Sequence, residues 1–170
     1  DVFGGDRRDE LVQVALDAGA VHLDIGQGDV PWVVLGDPED YAFRVMPQRR
    51  WYRDTGPIAG IPIDADDVPA ANAFRREAFD WVADDENIFR HPSGYGPLIA
   101  FTEPVEPKRG KNPMHLDLRV APGQDYEAEL ARLLGLGARR LQHNWGELNW
   151  TVLVDPGNNV FCLLRPITAG

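Results

Sequence analysis

The sequence predicts an α+β fold built from tandem β-α-β-β-β units. An internal repeat leads to it: with a shift of 118, residues 19–48 fall on 137–166 without a gap, and ten of the thirty positions are identical. Unrelated segments would share about one position in fifteen to twenty at ordinary residue usage. The matched pairs include Gly19 with Gly137, Trp32 with Trp150, Asp37 with Asp155, Pro38 with Pro156 and Phe43 with Phe161. Apolar residues at helical spacing precede each copy, and short alternating runs fill it, so each unit mixes one helix with several strands.

Taken in order, Leu11, Val12, Ala15 and Leu16 form one helical face. Gly19 then stands where a helix stops through a left-handed residue. A short strand follows, then a second over 32–35. Asp37 and Pro38 open a turn, because Asp bonds its own backbone and Pro fixes φ. A third strand covers 43–46. The next copy is degenerate. Its first strand is predicted over 58–63, and Asp66, Asp67 and Pro69 mark a helix start. The helix is expected over 72–81 from Phe74, Ala78 and Trp81, and strands over 86–90 and 98–101 flank a turn-rich loop. In the last copy, 114–120 alternates as a half-buried strand, and Leu130, Leu133 and Leu134 mark the helix. Strands follow over 150–154 and 160–164.

Asp1, Val2 and Phe3 resemble Asp117, Leu118 and Arg119, the end of the strand that carries His115. The residue matching His115 is therefore expected just ahead of Asp1. On this reading 1–48 is the C-terminal half of a first domain whose N-terminal half is absent, 49–56 is a linker, and 57–168 is a complete second domain. The half-domain is expected either to dock on the second domain or to pair with a second copy of the chain, as a homodimer, to cover its exposed edge.

Composition narrows the function. Seventeen Lys and Arg against 27 Asp and Glu leave a formal charge of −10, which excludes the basic footprint that nucleic-acid binding needs. There is no apolar run near the roughly 18 residues that a membrane span requires. Hydrophobic residues make up 44%, enough for a packed core. Cys162 is the single cysteine, so an internal disulfide and a thiolate cluster are both excluded, and a cytoplasmic setting is expected. Phosphate loops, nucleophile elbows and paired-His metal motifs are absent.

Several stretches resemble the glyoxalase-like branch of the vicinal oxygen chelate superfamily, which contains glyoxalase I, extradiol dioxygenases and bleomycin-resistance proteins. They are Lys-Arg-Gly-Lys-Asn at 108–112, Met-His-Leu-Asp-Leu-Arg at 114–119, Leu-Gly-Ala-Arg at 136–139, and Trp-Thr-Val-Leu-Val-Asp-Pro-Gly-Asn at 150–158. Phe-Cys-Leu-Leu at 161–164 completes the set. The resemblance implies that two units form a cupped, eight-stranded mixed sheet around a central pocket. It also implies metal ligands on the first and last strands of each unit. Carried over, those places fall near Pro62 and near Ala100 or Thr102 in one unit, and on His115 and Cys162 in the other. Pro and Ala cannot ligate through their side chains, and Cys162 replaces the Glu of metal-using members. The expectation is no metal and no cofactor. Arg75 stands where family members usually carry Trp, and Phe79 with Asp80 where they carry Leu-Gly.

The candidate ligand-binding residues are His115, Asp117, Asp64, Trp145 and Trp150; no catalytic residue is assigned. His115 and Asp117 share a strand face, being two apart, and read either as a pocket pair for hydrogen bonding and proton transfer or as groups satisfied within the sheet. Asp64 is matched to Asp117, since both are expected to close a first strand, and reads either as a second pocket carboxylate or as a turn anchor. Trp150, with its repeat Trp32, reads as an aromatic wall or as core. Trp145, beside a loop, is placed at the pocket mouth. Cys162 is expected as a small core residue, and 107–112 as a solvated basic connector or a gate for an acidic ligand. Two functions follow. One is a metal-free binder of a small, largely apolar molecule. The other is a lyase, isomerase or dioxygenase of the superfamily, metal-dependent or assisted by His115.

Overall fold

A computed structural model describes residues 1–84, 87–104 and 107–167. The elements run β1 (Val2–Phe3), α1 (Arg8–Asp17), β2 (Val21–His22), β3 (Val33–Gly36), β4 (Ala42–Met46), β5 (Gly60–Asp64), α2 (Val68–Ala78), β6 (Val82–Ala83), β7 (Ile88–Arg90), β8 (Leu98–Thr102), β9 (Leu116–Arg119), α3 (Tyr126–Gly135), β10 (Arg139–Arg140), β11 (Trp150–Val154) and β12 (Val160–Leu164). They form three four-stranded sheets, ordered β1-β4-β3-β2, β5-β8-β7-β6 and β10-β11-β12-β9. Each sheet is one β-α-β-β-β unit. The sheets are mixed: β1 runs parallel to β4 and β9 parallel to β12, while the hairpins β3–β4 and β11–β12 are antiparallel. A helical crossover brings the first strand back beside the last in parallel, which a tight hairpin cannot do.

The chain divides into two compact units, 1–62 with 81–100, and 63–80 with the chain from 101 onward. In the first unit, α1 packs Val12 with Leu11, Ala15 and Leu16 against Ala20, Leu35 and Val45. A second cluster gathers Met46, Tyr52, Ala59 and Leu98, with Phe3, Trp32 and Trp51 against it. The segment 49–56 carries a 3-10 turn at Arg50–Tyr52 and buries Tyr52 and Thr55, whose hydroxyl donates to Tyr52 O at 2.9 Å.

In the second unit the core is made by Phe74 and Ala78 of α2, Tyr126, Leu130 and Leu133 of α3, and Leu153, Phe161 and Leu163 of the sheet. Asp125 caps α3 by accepting from Ala128 N at 2.7 Å. Tyr126 Oη donates across the core to Leu163 O at 3.1 Å and lies 2.8 Å from Thr151 Oγ1.

The repeat is as visible in geometry as in sequence. Gly19 and Gly137 both follow a helix at positive φ, 100° and 106°. A Cβ there would meet Pro38 Cγ at 3.5 Å and Pro156 Cγ at 3.3 Å, respectively, so the matched glycines and prolines are contacts made twice. Asp37 Oδ1 accepts from Glu39 N and Tyr41 N, and Asp155 Oδ1 from Asn159 N, as the Asp-Pro turns require.

Some boundaries differ from expectation. The helix expected over 72–81 runs Val68–Ala78, because Asp67 caps it through Ala70 N at 2.9 Å and Pro69 suits its first turn. It ends where Phe79 turns extended, and Trp81 lies outside it, edge-on to His91 at 5.5 Å. The first strand of that copy begins at Gly60, and Ile58 makes an isolated bridge with Val2. Glu86, expected to open a strand, lies outside the described residues; the strand is seen from Ile88. The strand expected over 114–120 is shorter, so His115 sits immediately before β9.

Candidate functional site

The site is built on β9, β12 and β11 of the second unit. Leu118, Leu153, Phe161 and Leu163 turn toward α3. By alternation, Asp117, Cys162, Val152 and Trp150 turn to the opposite face. Register places Cys162 directly opposite both Asp117 and Val152, and Trp150 opposite Leu164. His115, two residues before Asp117, brings its Nε2 to 3.3 Å from Asp117 Oδ1.

His115, Asp117 and Cys162 form one cluster, with a ring nitrogen, a carboxylate oxygen and Sγ all within 4.8 Å of one another. Burial pushes the Cys162 thiol up to about 11, and the charge of Asp117 together with its hydrogen bond to the thiol adds to the effect; Lys111 works against it. At neutral pH the thiol therefore keeps its proton and serves as a donor to Asp117. It is a poor nucleophile.

The other candidates occupy different places. Asp64 Oδ1 accepts from Thr102 Oγ1 at 3.1 Å, and its backbone carbonyl accepts from Asn112 Nδ2 at 3.0 Å. Its match to Asp117 is corrected by register. Ala65 N donates to Thr102 O, as Val120 N donates to Leu164 O, so Asp64 takes the place of Arg119. Counting back, Pro62 takes the place of Asp117. Trp145 is 54% exposed, stacked on His143 at 4.8 Å, with Lys111 Nζ 5.7 Å from its ring centroid. Trp150 is 41% exposed at the start of β11, which rules out a fully packed core role.

The 107–112 run is more than a solvated connector. Lys108 Nζ donates to Asn158 O and to Asn159 Oδ1, each at 3.0 Å, and Asn112 Nδ2 donates to the same Asn159 Oδ1 at 3.0 Å. The run is thus clamped to the β11–β12 turn, which sets Lys111 near both Cys162 and Trp145. Sequence reasoning missed Lys111 and the part Cys162 plays. No signal in the sequence sets Cys162 against Asp117, because the parallel register of β9 and β12 does so.

Two cavities lie elsewhere. One of about 260 Å³ in the first unit is lined by Trp51, Val82, Ile88, His91 and Leu98, among others. One of about 410 Å³ in the second is lined by Ala65, Asp67, Val68, Pro69 and Glu103, among others. Neither is lined by His115, Asp117 or Cys162.

The arrangement is that of the vicinal oxygen chelate superfamily. The Glyoxalase-like domain model matches residues 60–164, and the chain belongs to that family. A glyoxalase-related enzyme from Fulvimarina pelagi is 18% identical with a TM-score of 0.50, covering 66% of this chain and 92% of its own. A glyoxalase/bleomycin resistance protein/dioxygenase family enzyme from Burkholderia phytofirmans PsJN is 17% identical with a TM-score of 0.49, covering 63% of this chain and 96% of its own. A glyoxalase/bleomycin resistance protein from Albidiferax ferrireducens T118 is 18% identical with a TM-score of 0.46, covering 64% and 97%. No curated protein matches the chain. Among the described residues no helix is long and apolar enough to cross a membrane.

The family implies a divalent metal held by first and last strands of both units, and the donors here do not fit it. Pro62 and Ala100 supply no side-chain ligand. The remaining His, Asp and thiol all come from a single sheet, so among the described residues the second sheet adds no ligand to them.

Proposed function

We propose that this glyoxalase/bleomycin-resistance-like protein binds a small, largely apolar molecule on the face of β9, β12 and β11 that points away from α3, without a catalytic divalent metal. The observation that carries the reading is the cluster of His115, Asp117 and Cys162 beside Val152 and half-exposed Trp150. Apolar sites with a few convergent polar groups are the usual form of small-molecule sites. His115 and Asp117 orient the ligand, Trp150 supplies an apolar wall, and Trp145 stands at the opening. Asp64 acts through Thr102 at the end of its own strand. In this reading 57–168 is the ligand-binding domain, and 49–56 joins it to 1–48. The protein works in the cytoplasm and pairs with a second copy of the chain as a homodimer.

The test is calorimetric titration of wild type and His115→Ala with a ligand returned by a screen. Loss of His115 should weaken binding by about 1–3 kcal/mol if it hydrogen-bonds a buried ligand group. Equal affinities with an intact fold would remove His115 from the site. Elemental analysis finding a stoichiometric divalent ion that is lost in His115→Ala would overturn the metal-free reading.

A second reading rests on the His115–Asp117 contact at 3.3 Å, which can pass a proton to and from a bound molecule. It makes the protein a lyase, isomerase or dioxygenase of the superfamily. Turnover that vanishes in His115→Gln while the ligand still binds would favour it.

A further inference from the structure

The two units that share the repeat treat one position differently. In the first unit Arg44 lies opposite Val34 on β3 and grips Asp1 through two bonds, Nε to Oδ1 at 2.6 Å and Nη2 to Oδ2 at 3.1 Å. Its guanidinium carbon stands 5.7 Å from the centroid of Trp32. In the second unit the same three places hold Cys162, opposite Val152, Asp117 beside it, and Trp150. The equivalence is set by register: Val2 pairs with Val45 as Leu118 pairs with Leu163, and 45 plus the repeat shift of 118 is 163. The carboxylate and the aromatic ring are kept, and the guanidinium between them is replaced by a short thiol.

The two carboxylates differ in exposure. The Asp1 side chain, gripped by Arg44, is 8% exposed, whereas that of Asp117 is 54% exposed. Trp150 lies one strand over from Cys162 on the same face and diagonal to it, within reach of a long group seated there. His115 meets Asp117 through Oδ1, and Lys111 is drawn to the Trp145 ring. The chain as a whole carries −10, which favours a cation over an anion.

We propose that the second unit takes a small molecule bearing a guanidinium group, whose head group sits where the Arg44 guanidinium sits in the first unit. Asp117 accepts its N–H donors as Asp1 accepts those of Arg44, and the Trp150 face covers the planar cation. This rests on the reading of that face as a small-molecule site and names the ligand class.

The probes are benzylguanidinium and its neutral analogue benzylurea, titrated by calorimetry into wild type, Asp117→Asn and Cys162→Arg. Benzylguanidinium should bind wild type saturably and benzylurea at least about tenfold more weakly, because the charge-assisted bonds are lost. Asp117→Asn should weaken benzylguanidinium by a similar factor. Cys162→Arg should block it while keeping the fold, since the new side chain fills the site as Arg44 does. Equal binding of the two probes, or undiminished benzylguanidinium binding in Cys162→Arg with an intact circular dichroism spectrum, would overturn the inference. So would failure of benzylguanidinium to bind wild type at millimolar concentration. If a neutral screened ligand then bound in a His115-dependent way, the small-molecule site would stand and only the guanidinium class would fall. If none bound, both readings would fall together.

Discussion

Arg75 Nη2 donates to Asp155 Oδ2 at 2.9 Å, with 1% and 0% of their side chains exposed. Four aromatic rings surround the guanidinium, with Phe79 and Phe161 at 4.8 and 4.9 Å and Phe74 and Phe101 each at 5.4 Å. Burial lowers the Arg75 pKa, and Asp155 partly restores it. Nε and Nη1 have no hydrogen-bond partner, so the rings and a single carboxylate hold the charge. Asp155 meanwhile accepts from Asn159 N at 2.8 Å, so one carboxylate ties α2 to the β11–β12 turn.

Removing one partner of this pair strands the other. Asp155→Ala is expected to cost about 3–5 kcal/mol, since it leaves a buried cation and opens the turn. The double variant Arg75→Met with Asp155→Asn should lose much less than the sum of its single changes, because no uncompensated charge remains. Urea unfolding of the three variants measures the coupling. Strict additivity would show that the pair does not act as a unit.

Gly157 is set by contact rather than by conformation. A Cβ there would stand 2.6 Å from Ala71 Cβ and 3.1 Å from Asp67 O, both on the segment that starts α2. Gly157→Ala should destabilise by about 1–3 kcal/mol through overpacking, read as a lowered Tm. Pairing it with Ala71→Gly should recover part of the loss.

Cys162 gives the fold a pH dependence of known sign. Its pKa is raised in the folded chain from 9.0 to about 11. The contribution is therefore fully present below about pH 9 and is lost as pH rises through about 11. In that window one extra bound proton in the folded state gives a slope of about 1.4 kcal/mol per pH unit. Cys162→Ser should lack this part of the slope in denaturation curves taken at several pH values. The native thiol should also react slowly with a disulfide reagent at pH 8, where the unfolded chain reacts quickly.

The 107–112 clamp should matter to the site more than to the core. Lys108→Ala removes two bonds to the β11–β12 turn and is expected to cost about 1 kcal/mol of stability. Asn112→Ala removes bonds to Asp64 O and Asn159 Oδ1 and should add a similar loss. In both variants Lys111 is released, so fluorescence of Trp145, which Lys111 covers, should change. An unchanged spectrum would show that the run does not position Lys111.

The repeat made most of the fold legible in the sequence. Strands 150–154 and 160–164, the left-handed glycines at 19 and 137, and the self-bonding Asp37 and Asp155 all follow from local chemistry that a residue carries wherever it goes. The pairing of His115 with Asp117 was readable for the same reason, since two residues apart on a strand share a face. Partnerships across long stretches of chain were not. Arg75 stood out only as an unexpected residue, because nothing within a helix turn of it announces a carboxylate 80 residues away. Asp64 was matched to Asp117 because both end up near a strand's close, yet one step of register decides which residue faces which, and register is set by the ladder. The meeting of Cys162 with Asp117 likewise depends on a parallel pairing that only a helical crossover can make, so composition and spacing named the chemical groups and the tertiary structure alone decided which of them touch.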